Sequence, residues 1–199
     1  MTPHPDFARF FNTFRSTPAL FVPYQADVFR QTQPRWMSLP YRFTGVGSVV
    51  AGARWSAKSL IPALYASLDL PTLTTEVYQK ALRYGWAPSE FPGPQLVVRM
   101  RWELQRVVDL TLTATTKALG VTKRELIQCD WQGEQAARRE ALTQAIGRAA
   151  FENLAEGLIV PSARQVGGVN MVYYPSHRQA GSKVVTADEV NIPFVHGLA

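Results

Sequence analysis

The sequence predicts an α+β domain: a compact mixed-sheet core with flanking helices. Three observations carry this expectation. Several short runs rich in Val, Ile and Leu have the length and branching of strands. Between them lie three or four segments with apolar residues at helical spacing, each with start or stop signals. The chain has 199 residues, 46% of them hydrophobic, which suffices for the core of one domain, and it carries no internal repeat or low-complexity linker.

Taken in order, Phe7, Phe10, Phe11 and Phe14 recur at helical spacing and predict a short amphipathic helix. The first forty residues are aromatic and punctuated by proline, so they read as an extension packed on the body or on a partner, with the main domain spanning 41–199. Residues 41–46 and 61–68 read as extended segments, joined by a stretch with Gly45, Gly47 and Gly52 that reads as turns. Pro71 suits the first turn of a helix whose apolar side is Leu73, Val77, Ala81 and Tyr84, and Gly85 is its expected stop. Residues 95–101 and 107–110 read as two strands. Thr122 with Glu125 forms a capping-box pattern that opens a short helix. Residues 133–156 give the longest helical signal, with Ala137, Leu142, Ile146, Ala149, Ala150 and Leu154 as its buried face. Gly147 inside that run costs helix propensity, which suggests close contact with another element. Residues 158–160 lead into Pro161-Ser162, Gly167-Gly168 marks a turn, and residues 169–174, 183–185 and 192–195 complete the sheet.

Composition narrows the function classes. The formal charge of +6 fits a phosphorylated ligand or an acidic partner. The basic residues are scattered singly or in pairs such as Arg138-Arg139, without the long run expected of a backbone-tracking tail, so direct nucleic-acid binding is not expected. His4, His177, His196 and the single Cys129 are too far apart for a zinc-ligand pattern, so no metal is expected. No run of about 18 apolar residues suggests a membrane span. The N-terminus lacks the pattern of a signal peptide, and one cysteine forms no internal disulfide, which together favour a cytoplasmic protein.

A set of polar residues on separate segments is the candidate site. Arg42 and Arg54 stand beside glycines in or near extended segments. A guanidinium fork suits phosphate oxygens, so these two could clamp a pyrophosphate, or they could be structural arginines paired to carboxylates. Tyr65 could offer a ring and a hydroxyl to a flat ligand, or fill the core. Glu76 lies beside an apolar helical stripe, where a carboxylate is seldom buried without partners. It could bond a ribose hydroxyl and stabilise positive charge on a sugar carbon, or simply face solvent. Ser162 lacks a Gly-x-Ser-x-Gly elbow, so a ligand hydrogen bond suits it better than a nucleophile's role. Asn170 has donor and acceptor capacity and could orient Ser162 or contact the ligand. No Walker loop and no Gly-x-Gly-x-x-Gly fingerprint is present.

At these positions the sequence resembles the RES domain family, the toxin component of RES–Xre type II toxin–antitoxin systems. The matching pieces are Tyr41-Arg42, then Gly52-Ala53-Arg54-Trp55-Ser56, then Leu64-Tyr65-Ala66-Ser67, then Glu76. Downstream they continue from Glu156 through Pro161-Ser162-Ala163-Arg164 to Gly168-Val169-Asn170. The match covers roughly residues 40–175. The resemblance implies a fold like that of ADP-ribosyltransferase toxins and cleavage of the nicotinamide–ribose bond of NAD by phosphorolysis or hydrolysis. In the phosphorolytic case inorganic phosphate would be a co-substrate. Transfer of ADP-ribose to a cellular protein is the alternative activity, and a non-enzymatic nucleotide-binding regulatory module is the alternative without one. The implied partner is an Xre-like helix-turn-helix antitoxin, and a homodimer within such a complex is compatible with it. The resemblance also implies roles: Arg42 and Arg54 on the NAD phosphates, Tyr65 near the nicotinamide ribose, Glu76 as the catalytic carboxylate, and Ser162 with Asn170 at the phosphate or ribose. The family usually has a second glycine where Ala53 stands and an asparagine where Ser56 stands.

Overall fold

A computed structural model describes residues 1–32, 43–83, 85 and 96–193. Its centre is a sheet that closes on itself. Strand β1 (Phe21–Thr32) runs antiparallel along nearly the whole of β3 (Leu96–Asp109). From the far edge of β1, Phe29 pairs with Ser67 of β2 (Leu64–Ser67). Strand β2 pairs with β5 (Val169–Tyr173), β5 with β4 (Gly157–Pro161), and β4 runs parallel to β3. The ring β1-β2-β5-β4-β3 is thereby complete, and its closure leaves these strands few open edges. Strand β6 (Lys183–Pro193) pairs with residues 96–103 of β3, beyond the reach of β4 on the same edge.

Period-two alternation sorts the side chains into two cores. Val28, Leu64, Ala66, Met100, Trp102, Leu104, Ile159, Met171 and Tyr173, drawn from all five ring strands, form one cluster. The intervening residues Leu158, Val160, Val172 and the neighbouring Tyr174 join a second cluster with Phe10 and Phe14 of α1 (Phe7–Ser16) and Ala145, Ile146, Ala149 and Ala150 of α7 (Leu142–Glu152). Phe10 and Phe14 of the first helix are thus buried in the core shared with α7 while Phe7 and Phe11 are half-buried at its margin, and β1 places residues 21–32 within the ring itself.

Several elements depart from the sequence reading, each for a tertiary reason. The glycine-rich stretch contains a short helix, α2 (Val46–Ala51), between Gly45 and Gly52, both with positive φ. Its Ser48 hydroxyl lies 2.8 Å from the Gly45 carbonyl and 3.0 Å from that of Ile61, which share its single proton, and it accepts from the Ala63 amide, which ties the turn to the entry of β2. The two expected strands at 95–101 and 107–110 are one continuous β3, because Trp102 and Leu104 alternate with Arg101, Glu103 and Gln105 through the polar middle. The helical run 133–156 is two helices, α6 (Trp131–Ala136) and α7. Arg138 adopts a left-handed conformation between them, and Thr2 pairs with this link through Thr2 N–H to Arg138 O (2.8 Å) and Glu140 N–H to Thr2 O (2.9 Å). The buried Glu140 carboxylate then accepts from the His4 amide and from both Nε and Nη2 of Arg148. At its other end α7 stops at Glu152, so Leu154 is exposed and also left-handed, outside the helix that should have buried it. Helix α3 (Leu70–Arg83) agrees with its predicted face: Leu73, Val77 and Ala81 are buried, and Asp69 caps it by accepting from the Thr72 amide. Tyr84 lies outside the described residues.

Gly147 has the close contact expected of it. A β-carbon there would stand 2.0 Å from the Trp55 carbonyl oxygen. Gly147→Ala is therefore expected to lower stability by about 2 kcal/mol or more, because backbone rather than a flexible side chain must give way. A urea melt of the variant checks this; a midpoint equal to the parent's would contradict the close packing.

Candidate active site

Helix α3 lies against β1 and β2 and carries Glu76 over the outer face of the ring. One carboxylate oxygen, Oε1, accepts from the Ser162 hydroxyl at 2.7 Å and from Asn170 Nδ2 at 2.8 Å. Asn170 is itself oriented, since its Oδ1 accepts from the Ser67 hydroxyl at 2.7 Å across the β2–β5 register that pairs the two residues. This fixes the Asn170 amide with its nitrogen towards Glu76. Among the described residues, Oε2 of Glu76 accepts no hydrogen bond. The carboxylate is thereby held by neutral donors through one oxygen, with the other available to a ligand.

Ser162 follows the end of β4. Its hydroxyl proton goes to Glu76, and its oxygen accepts from the amides of Arg164 (3.1 Å) and Gln165 (3.0 Å). One donor and two acceptor positions are the full capacity of a hydroxyl. Ser162 is buried and stands behind Glu76, outside the lining of the cleft into which Glu76 opens.

Arg54 and Trp55 occupy the tip of a tight turn closed by Ala53 N–H to Ser56 O (2.7 Å) and Ser56 N–H to Ala53 O (3.3 Å). Gly52 starts this turn with φ 74°, and a β-carbon there would collide with the Gln135 side chain. Ala53 takes an ordinary backbone conformation, so its methyl group in place of the usual glycine costs no strain. Arg54 Nη1 donates to the carbonyls of Leu126 (3.0 Å), Ile127 (3.4 Å) and Cys129 (3.0 Å) at the end of α5 (Lys123–Gln128), whose start is the expected Thr122–Glu125 capping box. These are carbonyls that a helix leaves without intrahelical partners, at the end favourable to a cation. Arg54 is anchored this way while its side chain also lines the cleft.

Ser56, where the family usually has asparagine, is fully buried and lies 2.9 Å from the Tyr65 hydroxyl, which also accepts from the Trp55 amide at 3.2 Å. Burial pushes the Tyr65 phenol well above its ordinary range, and this outweighs the hydrogen bonds from Ser56 and Trp55 and the nearby Arg54 charge, which favour ionisation. Tyr65 is therefore a neutral, fixed wall of the site.

Arg54, Tyr65, Glu76 and Asn170 meet in one cleft of about 450 Å³, a size suited to a small-molecule ligand. Arg42 lies outside the described residues. The cleft also presents residues to which the sequence reading gave no role: Arg30 from β1, Lys80 from α3, Arg164 from the β4–β5 turn, and Trp131 at the start of α6. Lys80 was within reach of inference, since it stands four residues after Glu76 and so on the same helical face. Arg30 had no such signal, because only the β1–β2 contact and the packing of α3 bring it here. No group of His, Cys, Asp and Glu among the described residues could hold a metal ion, and no helix among them is long and apolar enough to cross a membrane.

Comparison with known proteins agrees with this architecture. The chain is 28% identical over 151 residues to the NAD(+) phosphorylase MbcT of Mycobacterium bovis and to that of Mycobacterium tuberculosis, covering 69% of this chain and 74% of each relative. The crystal structure of the M. tuberculosis MbcT–MbcA toxin–antitoxin complex matches the fold with a TM-score of 0.73 at 21% identity, over 96% of this chain and 93% of the matched one. The RES domain model aligns with residues 27–194, from the middle of β1 to just past β6. That match spans most of the chain and all of the closed sheet from the middle of β1 onward: this chain belongs to the RES domain family.

Proposed function

We propose that this protein is a NAD-consuming toxin that cleaves the nicotinamide–ribose bond with inorganic phosphate as acceptor, and that a cognate helix-turn-helix antitoxin of the Xre type neutralises it. The observation that carries this reading is the Glu76 carboxylate, tied through Oε1 to Ser162 and Asn170 with Oε2 open to the cleft. The likeness to relatives called NAD(+) phosphorylase supports the choice of substrate and acceptor.

Nicotinamide leaves NAD as a neutral ring, so its departure needs no general acid. The barrier lies in the positive charge that develops on the ribose carbon and ring oxygen. A carboxylate already oriented by neutral donors stabilises that charge without rearranging during the reaction. Oε2 also offers an acceptor for a ribose hydroxyl. Arg54, fixed by the carbonyls of α5, and Arg164 at the mouth bind the diphosphate as a fork, with Arg42 as a further candidate for the same task. Tyr65 and Trp131 supply aromatic walls, and Ser162 acts through Glu76 as a positioning residue.

Incubating the purified protein with NAD is expected to release nicotinamide, at a rate that rises with inorganic phosphate. The companion product by mass is ADP-ribose carrying one added phosphate. Plain ADP-ribose in the presence of saturating phosphate would replace phosphorolysis by hydrolysis. Absence of nicotinamide under all conditions would remove the NAD-cleaving reading.

A further inference from the structure

The cleft carries more positive charge than a dinucleotide requires. Arg30, Arg54, Lys80 and Arg164 line it against one carboxylate, Glu76, a surplus of three positive charges where a diphosphate brings two negative ones. The four cations come from two places: Arg54 is anchored at the end of α5 and Arg164 follows Ser162 on the β4–β5 turn, whereas Arg30 on β1 and Lys80 on α3 belong to two elements that pack on each other. Resting on the NAD-cleaving reading above, we propose that Arg30 and Lys80 form a separate subsite for the attacking inorganic phosphate.

The local geometry supports this assignment. Glu76 and Lys80 have the spacing that ordinarily makes an ion pair along a helix. Here Glu76 is held through Oε1 by Ser162 and Asn170, its Oε2 is left to the cleft, and Lys80 makes no ion pair among the described residues. Arg30 likewise has no carboxylate partner among them. Two cations held near each other without a carboxylate repel, and an anion between them relieves that cost. The surroundings of Lys80, and secondarily the Arg30 charge, hold its ammonium below the usual lysine range, although the side chain keeps contact with solvent. Both features suit an anion that enters from water.

Position also fits the chemistry. Lys80 is one helical turn from Glu76, a rise of about 6 Å, so phosphate on Lys80 and Arg30 lies within one small molecule's reach of the carbon that Glu76 serves. In the step itself, a phosphate oxygen forms a bond to the ribose carbon as the bond from that carbon to the nicotinamide nitrogen breaks. The electron pair of the broken bond returns to the ring and neutralises its charge. No proton is taken up and no redox partner is required. The diphosphate group remains with Arg54 and Arg164.

The test is steady-state kinetics of nicotinamide release by Arg30→Gln, Lys80→Gln and the double variant, with phosphate varied at saturating NAD and NAD varied at saturating phosphate. The double variant is expected to raise the KM for phosphate at least tenfold while the KM for NAD moves less than twofold. Parallel rises in both constants would assign the pair to the dinucleotide and overturn the proposal, as would an unchanged phosphate KM. Isothermal titration with inorganic phosphate alone separates this proposal from its parent reading. If the wild type fails to turn over NAD, the parent reading falls, yet phosphate heats present in the wild type and lost in the double variant still establish the subsite. Equal heats in both proteins would overturn it. A melting temperature for each variant confirms that the comparison is between folded proteins.

Discussion

Glu76→Gln is expected to reduce nicotinamide release from NAD by about a thousandfold, the scale on which removal of a preorganised electrostatic contact acts in a closed site. The substitution isolates charge from shape. A glutamine carbonyl at Oε1 still accepts from the Ser162 hydroxyl and from Asn170 Nδ2, so the cluster behind the carboxylate keeps both hydrogen bonds. Only the negative charge opposite the ribose is lost. The melting temperature should therefore stay within about 4 °C of the parent, a change of roughly 1 kcal/mol for a chain of this size. Glu76→Ala is less informative, because it strands the Ser162 and Asn170 donors and adds about 1–3 kcal/mol of destabilisation to the loss of charge. Turnover of Glu76→Gln within tenfold of the wild type, with NAD binding intact, would sink the assignment of Glu76 as the charge-stabilising group.

The largest expected effect on stability lies elsewhere, at Glu156. Its side chain is fully buried and accepts only from backbone: Oε2 from the amides of Gln105 (2.6 Å) and Arg106 (3.0 Å), and Oε1 from the amide of Gln179 (2.7 Å). Its own backbone adds two links, Glu156 N–H to Arg106 O and Tyr174 N–H to Glu156 O, both 2.8 Å. One residue thus fastens β3, the exit of β5 and the segment before β6 at the start of β4. Glu156→Ala leaves three backbone amides without their acceptor and is expected to cost about 3–6 kcal/mol, lowering the melting temperature by on the order of 10 °C. Glu156→Gln retains one carbonyl acceptor and should fall between the two. A loss below about 1 kcal/mol in Glu156→Ala, measured by urea denaturation, would mean that water replaces the carboxylate at this joint.

Glu156 and Glu76 show why two acidic residues in the same resemblance have different meanings. Both stand in matching pieces of the sequence, and no local pattern separates them. Glu156 is enclosed by backbone donors from three segments, which consume both oxygens. Glu76 meets side-chain donors on one oxygen and a cleft on the other. The difference between a structural and a candidate catalytic carboxylate is one of surroundings, and those are assembled from residues up to 94 positions apart.

Local chemistry was legible where a few neighbouring residues decide the outcome. The Thr122–Glu125 capping box, the α3 stripe of Leu73, Val77 and Ala81, the phenylalanine face of α1 and the tight place at Gly147 could all be read from spacing and residue type. So could the mixed sheet with flanking helices, because period-two and helical patterns alternate along the chain. The break between α6 and α7 could not, since the residues that pair with 138–140 there include Thr2 and His4 from the far end of the chain. Nor could Arg30 and Lys80 be recognised as neighbours. By itself, then, the sequence determined the elements and the candidate polar set. Closure of the ring decided which of those residues share a cleft, which oxygen of Glu76 is occupied and where unbalanced positive charge accumulates, because these are contacts between distant segments and no local periodicity encodes them.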